Sequence, residues 1–525
     1  MGLTRALHRS VQLRSDAVAV GFGGRRWTFR QFADRTARLA GALQSLGVQP
    51  NDRVAMLALN SDRYLEYLMA VPWAGAVLNP CNIRWTAGEI TYSLDDSGST
   101  VLIFDDAFAP LAATLRASAK TLRTLIYAGD GQAPPGTLNF ESLIADANPV
   151  ADAGCTGNDL AGIFYTGGTT GHPKGVMLSH DNLVWHGVAA IAAGLGGSDA
   201  VGSTDVVIVH APPMFHVAGF AVSHVHWLLG SRHVTIPAFR PDQLAACIER
   251  ERATDVVLVP TMIQMLLNDP VATTQYDLSS LRRISYAGSP ISEALLDRAL
   301  ARFPNVDFFQ AYGQTESTGA VTILSPEHHT LEARNSGRMR SAGRANCISL
   351  VRIVDPDGNE LPRGSVGEIV LSGPTTMLGY WERPAETAKA RRDGWLWTGD
   401  AGYMDEEGFI FVVDRIKDMI ITGGENVYST EVENALAKHP GVAGCAVVGI
   451  PSDEWGELIH AFVVLKAGHQ VSTEDLAAHC HAQIANYKCP RSIDFLDALP
   501  VSGAGKVLKA KLREPFWQGR NRNIA

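Results

Sequence analysis

The chain has 525 residues, with 45 Lys and Arg against 54 Asp and Glu and a formal charge of −9. Apolar residues make up 46% and charged residues 19%, which excludes global disorder and leaves material for more than one core. The acidic balance excludes a general nucleic-acid binder, because phosphate contacts need a concentrated basic surface.

At the start, Arg5 and Arg9 are followed by no apolar run, and Ala6 stands where myristoylation requires Ser or Thr, so no signal peptide or acyl anchor is expected. Residues 53–59 read as a buried strand and 62–76 as the helix behind it. Residues 100–104, 122–127, 160–165, 206–210 and 255–260 are further short apolar runs rich in Val and Ile. Helical patterns over 241–253 and 292–303 follow the same rhythm, which implies α/β layers with largely parallel sheets. No uncharged apolar stretch of about 18 residues occurs. Residues 253–267 come closest and are interrupted by Asp255, so no integral membrane segment is expected. From 348 to 371 two strand patterns flank the turn Asp355-Pro-Asp-Gly358, the texture of a smaller β subdomain. After Asp414 the texture changes again, and 429–438 reads as a helix with Glu431 and Glu433 near its start.

The seven cysteines are odd in number and contain no Cys-x-x-Cys pair, which suits free thiols in a reducing cytoplasm. His479, Cys480 and His481 with Cys489 have metal-binding chemistry, but adjacent helical residues point in different directions, so no metal is expected there.

The most informative run is Tyr165-Thr-Gly-Gly-Thr-Thr-Gly-His-Pro-Lys-Gly-Val176, behind the apolar strand 160–164. Residues 166–175 hold three Thr hydroxyls, four glycines and Lys174. Glycines let main-chain N–H groups approach an anion, hydroxyls add donors and the lysine adds a mobile charge, which together cradle a nucleotide phosphate. The nucleotide-binding pattern Gly-Lys-Ser/Thr is not met, since Gly175 follows Lys174.

This string resembles the signature of the adenylate-forming superfamily of acyl- and aryl-CoA synthetases, adenylation domains and luciferases. Further motifs similar to that family follow in order: Pro213-Met-Phe-His-Val-Ala-Gly219, Gln310-Ala-Tyr-Gly-Gln-Thr-Glu316, Trp397-Thr-Gly-Asp400, Asp414-Arg-Ile-Lys-Asp418 and Pro500-Val-Ser-Gly-Ala-Gly-Lys-Val-Leu-Lys509. The resemblance spans residues 27–513. It implies a large N-terminal AMP-binding domain (1–413) of stacked α/β subdomains plus a β subdomain. A hinge (414–417) and a small mobile C-terminal α/β domain (418–525) would follow.

By the same resemblance, Lys506 is the adenylation lysine, and Glu316 and Thr166 are the Mg2+ contacts. Gly167, Gly168, Thr169, Thr170, Gly171 and Lys174 surround the phosphates. Tyr312 stacks on adenine, with Gly288, Gln310, Ala311, Gly313 and Thr315 around it. Asp400 takes the ribose hydroxyls and Arg415 donates to them from the opposite side. Lys417 is the pivot, and Gly423 and Gly424 lie beside the coenzyme A channel. The acyl pocket draws on His216, Ala218, Val222, Ser285, Ala311, Gly319 and Ala320. These residues are mostly small and uncharged, which suits a fatty or an aryl acid. Amino-acid-activating relatives carry Asp after the pocket Phe to pair the ammonium, whereas His216 follows Phe215 here. Luciferase-like members carry Lys where Ile421 and Gly423 stand.

The expected activity is therefore AMP-forming ligation of a carboxylic acid to coenzyme A, using ATP and Mg2+. Loading of a carrier-protein phosphopantetheine is the alternative. The expected partners are small molecules, with no nucleic acid, and the expected state is a cytoplasmic homodimer.

Overall fold

In a computed structural model, residues 1–166, 172–197, 205–501 and 507–518 are described. Two large sheets dominate. One has nine strands, and its central pairs are all parallel: Val18–Phe22 on Arg232–Thr235, then Val207–His210, Asp255–Leu258, Arg283–Ala287 and Asp307–Gln314. Antiparallel strands close both of its edges. The other has eight strands, parallel from Leu160–Thr166 through Val77–Pro80, Arg53–Leu57, Val101–Phe104 and Thr124–Tyr127. Beyond Leu160–Thr166 the pairing turns antiparallel, first to Lys174–Ser179 and then to the short edge strand Gly379–Tyr380. The strands expected from Val and Ile runs are all present, with bounds shifted by a residue or two.

The principal core lies between these sheets. Phe29, Phe32 and Leu43 of the helix Phe29–Ser45, the wholly buried helix Asp62–Trp73, and Leu183, Phe220 and Trp227 meet Val54, Met56 and Ile103 from one sheet and Val20 and Val321 from the other. Separate clusters cover the outer faces, giving five layers, helix–sheet–helix–sheet–helix. Charged residues inside the middle layer are paired: Glu66, fully buried, accepts from Arg35 Nε at 2.5 Å.

A five-stranded β sheet follows, in which Leu350–Val354 pairs antiparallel with Gly367–Ser372, and Trp395–Met404 with Ile410–Arg415. Sheet membership then changes. Ile420–Thr422 belongs to a last five-stranded sheet with Glu425–Val427, Val442–Ser452, Gly456–Leu465 and Ser492–Phe495, which has its own core around Val432, Leu436 and Val447. Of the acidic pair expected at the start of helix Ser429–Ala437, only Glu431 lies in the first turn. Glu433 turns inward and pairs with Lys509 at 2.8 Å. His479 bonds the Ala435 carbonyl and Cys480 is buried, and among the described residues no group of three or more metal-ligating side chains gathers.

Candidate active site

The conspicuous side chains gather at the carboxyl ends of the parallel strands, where open α/β sheets ordinarily bind ligands. In the phosphate hairpin, Thr166 pairs with Lys174 in register. Gly167, Gly168, Thr169, Thr170 and Gly171 lie outside the described residues. The hairpin base is fastened to one carboxylate that the sequence did not single out. Tyr165 OH donates to Asp96 Oδ2 at 2.7 Å, and Arg383 Nη2 to Asp96 Oδ1 at 2.9 Å. Lys174 Nζ stands 5.1 Å from the centre of the Tyr380 ring.

Tyr380 links this hairpin to Glu316. Its hydroxyl donates to Glu316 Oε1 at 2.9 Å, and burial followed by the Glu316 charge holds the phenol firmly protonated. Glu316 sits in a single 3-10 turn, Thr315–Ser317, after the strand Asp307–Gln314. The next residue, Thr318, has φ 63, a left-handed conformation that a β-branched residue rarely adopts. It is fully buried and its hydroxyl donates to the Thr375 carbonyl at 2.6 Å, which fixes the strained turn. Among the described residues Glu316 enters no ion pair. A part-buried carboxylate oriented by one phenol, and in no ion pair among the described residues, fits a hard divalent cation, with the Thr166 hydroxyl as a second oxygen donor.

Asp400 and Arg415 are register partners on adjacent antiparallel strands, so they share one face. Arg415 Nε lies 2.6 Å from Asp400 Oδ1, and Tyr312 OH donates to Asp400 Oδ2 at 2.8 Å. The two groups expected to meet the ribose are thus held together by a cross-strand pair. Burial works against the Arg415 charge, but Asp400, Tyr312 and Glu316 together raise its pKa above the ordinary value.

Parallel pairing of Arg283–Ala287 with Asp307–Gln314 sets Tyr286 beside Gln310 and Ala287 beside Ala311, and Gly288 (φ +91) turns the chain away just beyond. Gly313, Gly319 and Ala320 meet across the next, antiparallel pair, and Thr315 is buried beneath them. The acyl set comes from three elements. His216 caps the helix Val217–Leu229, accepting from Ala218 N–H at 3.4 Å, and Ala218 and Val222 follow one turn apart on its less buried face. Ser285 and Ala311 lie on neighbouring strands, and that helix touches the strand carrying Gly319 and Ala320.

Lys417 lies in the 3-10 turn Ile416–Asp418 between the last two sheets, and burial lowers its pKa. Asp414, just before it, accepts from Ser429 N–H at 2.5 Å and from the Ser429 hydroxyl at 2.6 Å. Gly423 and Gly424, both at positive φ (59 and 83), form the two-residue turn of a hairpin in which Thr422 pairs with Glu425. A Cβ on Gly423 would lie 2.9 Å from the Trp455 ring, so the turn and its neighbour both require glycine there. Lys506 lies outside the described residues.

Paired carboxylates, a Gly- and Thr-rich hairpin and a small separate sheet behind a short turn lie along a chain that matches an enzyme family in two parts. Residues 7–381 match the AMP-binding enzyme family and residues 431–506 the AMP-binding enzyme C-terminal domain. The chain belongs to the AMP-binding enzyme family. It is 39% identical over 509 residues to a feruloyl-CoA synthase from Amycolatopsis sp, covering 97% of this chain and 98% of that protein. It is 38% identical over 502 residues to a fatty acid–[acyl-carrier-protein] ligase from Streptomyces coeruleorubidus, covering 95% of this chain and 94% of that one. Among solved structures it resembles the o-succinylbenzoate CoA synthetase of Bacillus subtilis in complex with its acyl-adenylate intermediate, with TM-score 0.84, 29% identity and 97% of each chain covered.

Proposed function

We propose that the protein is an AMP-forming acid–CoA ligase that adenylates a fatty or aryl carboxylic acid with ATP and transfers the acyl group to coenzyme A, releasing AMP and pyrophosphate. The observation that supports this most is the joint presence, along nearly the whole chain, of the two family matches and the Tyr312–Asp400–Arg415 and Tyr380–Glu316 contacts.

In this reading the carboxylate oxygen of the acid attacks the α-phosphorus of ATP, the bond to the β-phosphate oxygen breaks, and pyrophosphate leaves. Two anions meet, so catalysis is chiefly charge placement. Lys506 supplies the decisive cation, and Lys174 with the 166–171 loop supplies donors along the phosphates. Asp400 receives the ribose and Arg415 sets its orientation and charge. Tyr312 with Gly288, Gln310, Ala311, Gly313 and Thr315 borders the base. Glu316 and Thr166 would hold Mg2+, which when bound neutralises phosphate charge. The thiol of coenzyme A then attacks the acyl carbon, and AMP departs with the bond electrons on its phosphate. For that half-reaction the C-terminal part (418–525) turns about 414–417, with Lys417 as pivot, withdrawing Lys506 and bringing the 423–424 turn beside the thiol channel.

Pyrophosphate release across a panel of fatty and aryl acids, with mass detection of acyl-CoA, tests the reading. Release with no acid overturns it. Lys506→Ala should abolish acyl-AMP formation while thioester formation from supplied acyl-AMP persists.

The carrier-protein relative supports a second reading, transfer to a phosphopantetheine arm. Acyl transfer to a loaded carrier protein and none to free coenzyme A would select it. All seven cysteines are free, in keeping with a reducing compartment such as the cytoplasm. Among the described residues no helix is long and apolar enough to cross a membrane. A homodimer remains part of the proposal on the family resemblance alone, and sedimentation tests it.

A further inference from the structure

One carboxylate that the reaction above does not use stands where three segments of the site meet. Asp96 lies in the last turn of the helix Ala87–Ser97, and its side chain is only 10% exposed. A negative charge there is opposed by the carbonyl end of the helix dipole, so its partners must hold it. Its Oδ2 accepts from Tyr165 OH at 2.7 Å, and its Oδ1 accepts from Arg383 Nη2 at 2.9 Å and from Tyr92 OH at 3.2 Å. Its main-chain carbonyl accepts from Trp381 Nε1 at 2.9 Å. The neighbouring Asp95 is engaged elsewhere, accepting from the Thr121 N–H at 3.1 Å and from its hydroxyl at 3.3 Å.

Each partner adjoins a group that the ligase reading places on the phosphates. Tyr165 precedes Thr166, and burial followed by the Asp96 bond keeps its phenol protonated and donating. Tyr92, one helical turn before Asp96, stacks on the His172 ring with centroids 4.4 Å apart, and His172 is two residues before Lys174. Trp381 N–H donates to the Gly175 carbonyl at 2.7 Å, and Trp381 follows Tyr380, whose hydroxyl orients Glu316. Thr166 ends a strand of the eight-stranded sheet, whereas Glu316 follows a strand of the nine-stranded sheet. Pairing of Gly379–Tyr380 with the return strand brings the segments near each other, and the charge-assisted bonds of Asp96 to Tyr165 and Arg383 fix their ends.

We propose that Asp96 is a positioning residue for adenylation. It touches neither ATP nor the acid, and it holds Thr166 and, through the 380–383 segment, Glu316 at the spacing that one Mg2+-bound triphosphate requires. The inference rests on the ligase reading and adds to it a residue that acts through two others. The base and the ribose fall to Tyr312 and Asp400 in that reading, and Asp96 bonds neither. Its effect is therefore confined to the phosphates, and AMP, which lacks the β- and γ-phosphates, is the natural control.

Calorimetric titration of the full chain with α,β-methylene-ATP and Mg2+, and separately with AMP, tests it. Asp96→Asn should weaken binding of the triphosphate about ten-fold or more and leave that of AMP within about two-fold. The same split should appear in turnover as a raised KM for ATP with KM for the acid unchanged. Tyr165→Phe, which deletes one donor to Asp96, should shift the triphosphate in the same direction by less, and it decides the matter if Asp96→Asn does not fold. Asp95→Asn, at the other carboxylate of the same turn, should change neither constant. Equal weakening of AMP and triphosphate, or no change in either, makes Asp96 structural only, which overturns the inference and leaves the ligase reading intact. Pyrophosphate release with no acid overturns both.

Discussion

Asp400 is clamped from two sides, by Arg415 Nε at 2.6 Å on one oxygen and by Tyr312 OH at 2.8 Å on the other, and only 4% of the residue is exposed. The carboxylate thus joins the strand end that carries Tyr312 to the segment that runs into the last sheet. Asp400→Asn keeps the shape but turns one contact into an N–H facing a guanidinium. A charge-assisted bond contributes roughly 1.5–3 kcal/mol, so KM for ATP should rise about ten-fold or more while KM for the acid changes little. Steady-state kinetics with each substrate varied in turn would check this, and an unchanged KM for ATP removes Asp400 from the nucleotide site.

Glu316 is aimed by the Tyr380 hydroxyl at 2.9 Å. Tyr380→Phe deletes that single donor and leaves the ring beside Lys174. If Glu316 holds the divalent cation, losing its orienting partner should raise the Mg2+ concentration for half-maximal pyrophosphate release about ten-fold. A titration of activity against Mg2+ at saturating ATP measures it. Equal Mg2+ dependence in the two proteins rejects the assignment.

The strands and their largely parallel pairing were legible because short Val and Ile runs alternate with helical patterns, and the 165–176 string because glycines and hydroxyls so close together serve little but an anion, whereas the order of strands within each sheet was not. Tyr380 was not legible. It is one aromatic beside Gly379 and Trp381, far in sequence from Glu316, and only the fold brings its hydroxyl there. The Asp400–Arg415 contact depends on a register shift between Ala401 and Gly402, which no periodicity reveals. Glu433 read as a first-turn acid, yet its partner Lys509 comes from the far end of the chain. Asp96 was not legible either, since its partners Tyr165 and Arg383 stand 69 and 287 positions further along the chain.

Lys509 Nζ is 2.8 Å from Glu433 and 2.6 Å from the Ser429 hydroxyl, and Ser429 in turn donates to Asp414. Both charged side chains are largely covered, so removing one strands the other. Lys509→Met should destabilise the protein by about 3 kcal/mol, and Lys509→Met with Glu433→Leu should recover most of that loss. Chemical denaturation of the two variants measures the difference. If the single variant is as stable as the double, the pair does not hold the start of helix Ser429–Ala437.

Buried neutral histidines also set how the protein responds to acid. Burial holds His180, His186, His226 and His329 down to about 4, and His210 and His224 down to about 3. Their ordinary value is near 6.5, so between about 4 and 6.5 the unfolded chain binds protons that the folded chain refuses. Stability therefore rises with pH across that window. The contribution is fully present above pH 6.5 and is lost as pH falls, each ring adding up to about 1.4 kcal/mol per pH unit. Glu66, pushed up to about 7 by burial, has the opposite sign, since its folded form binds a proton that the unfolded form has released. It offsets one histidine and no more. Tm measured calorimetrically should fall steadily from pH 6.5 to 5, before most carboxylates titrate, and a folded His224→Phe variant should show a shallower fall. A Tm that is flat or rises on acidification over that range would mean that these rings take up protons without unfolding.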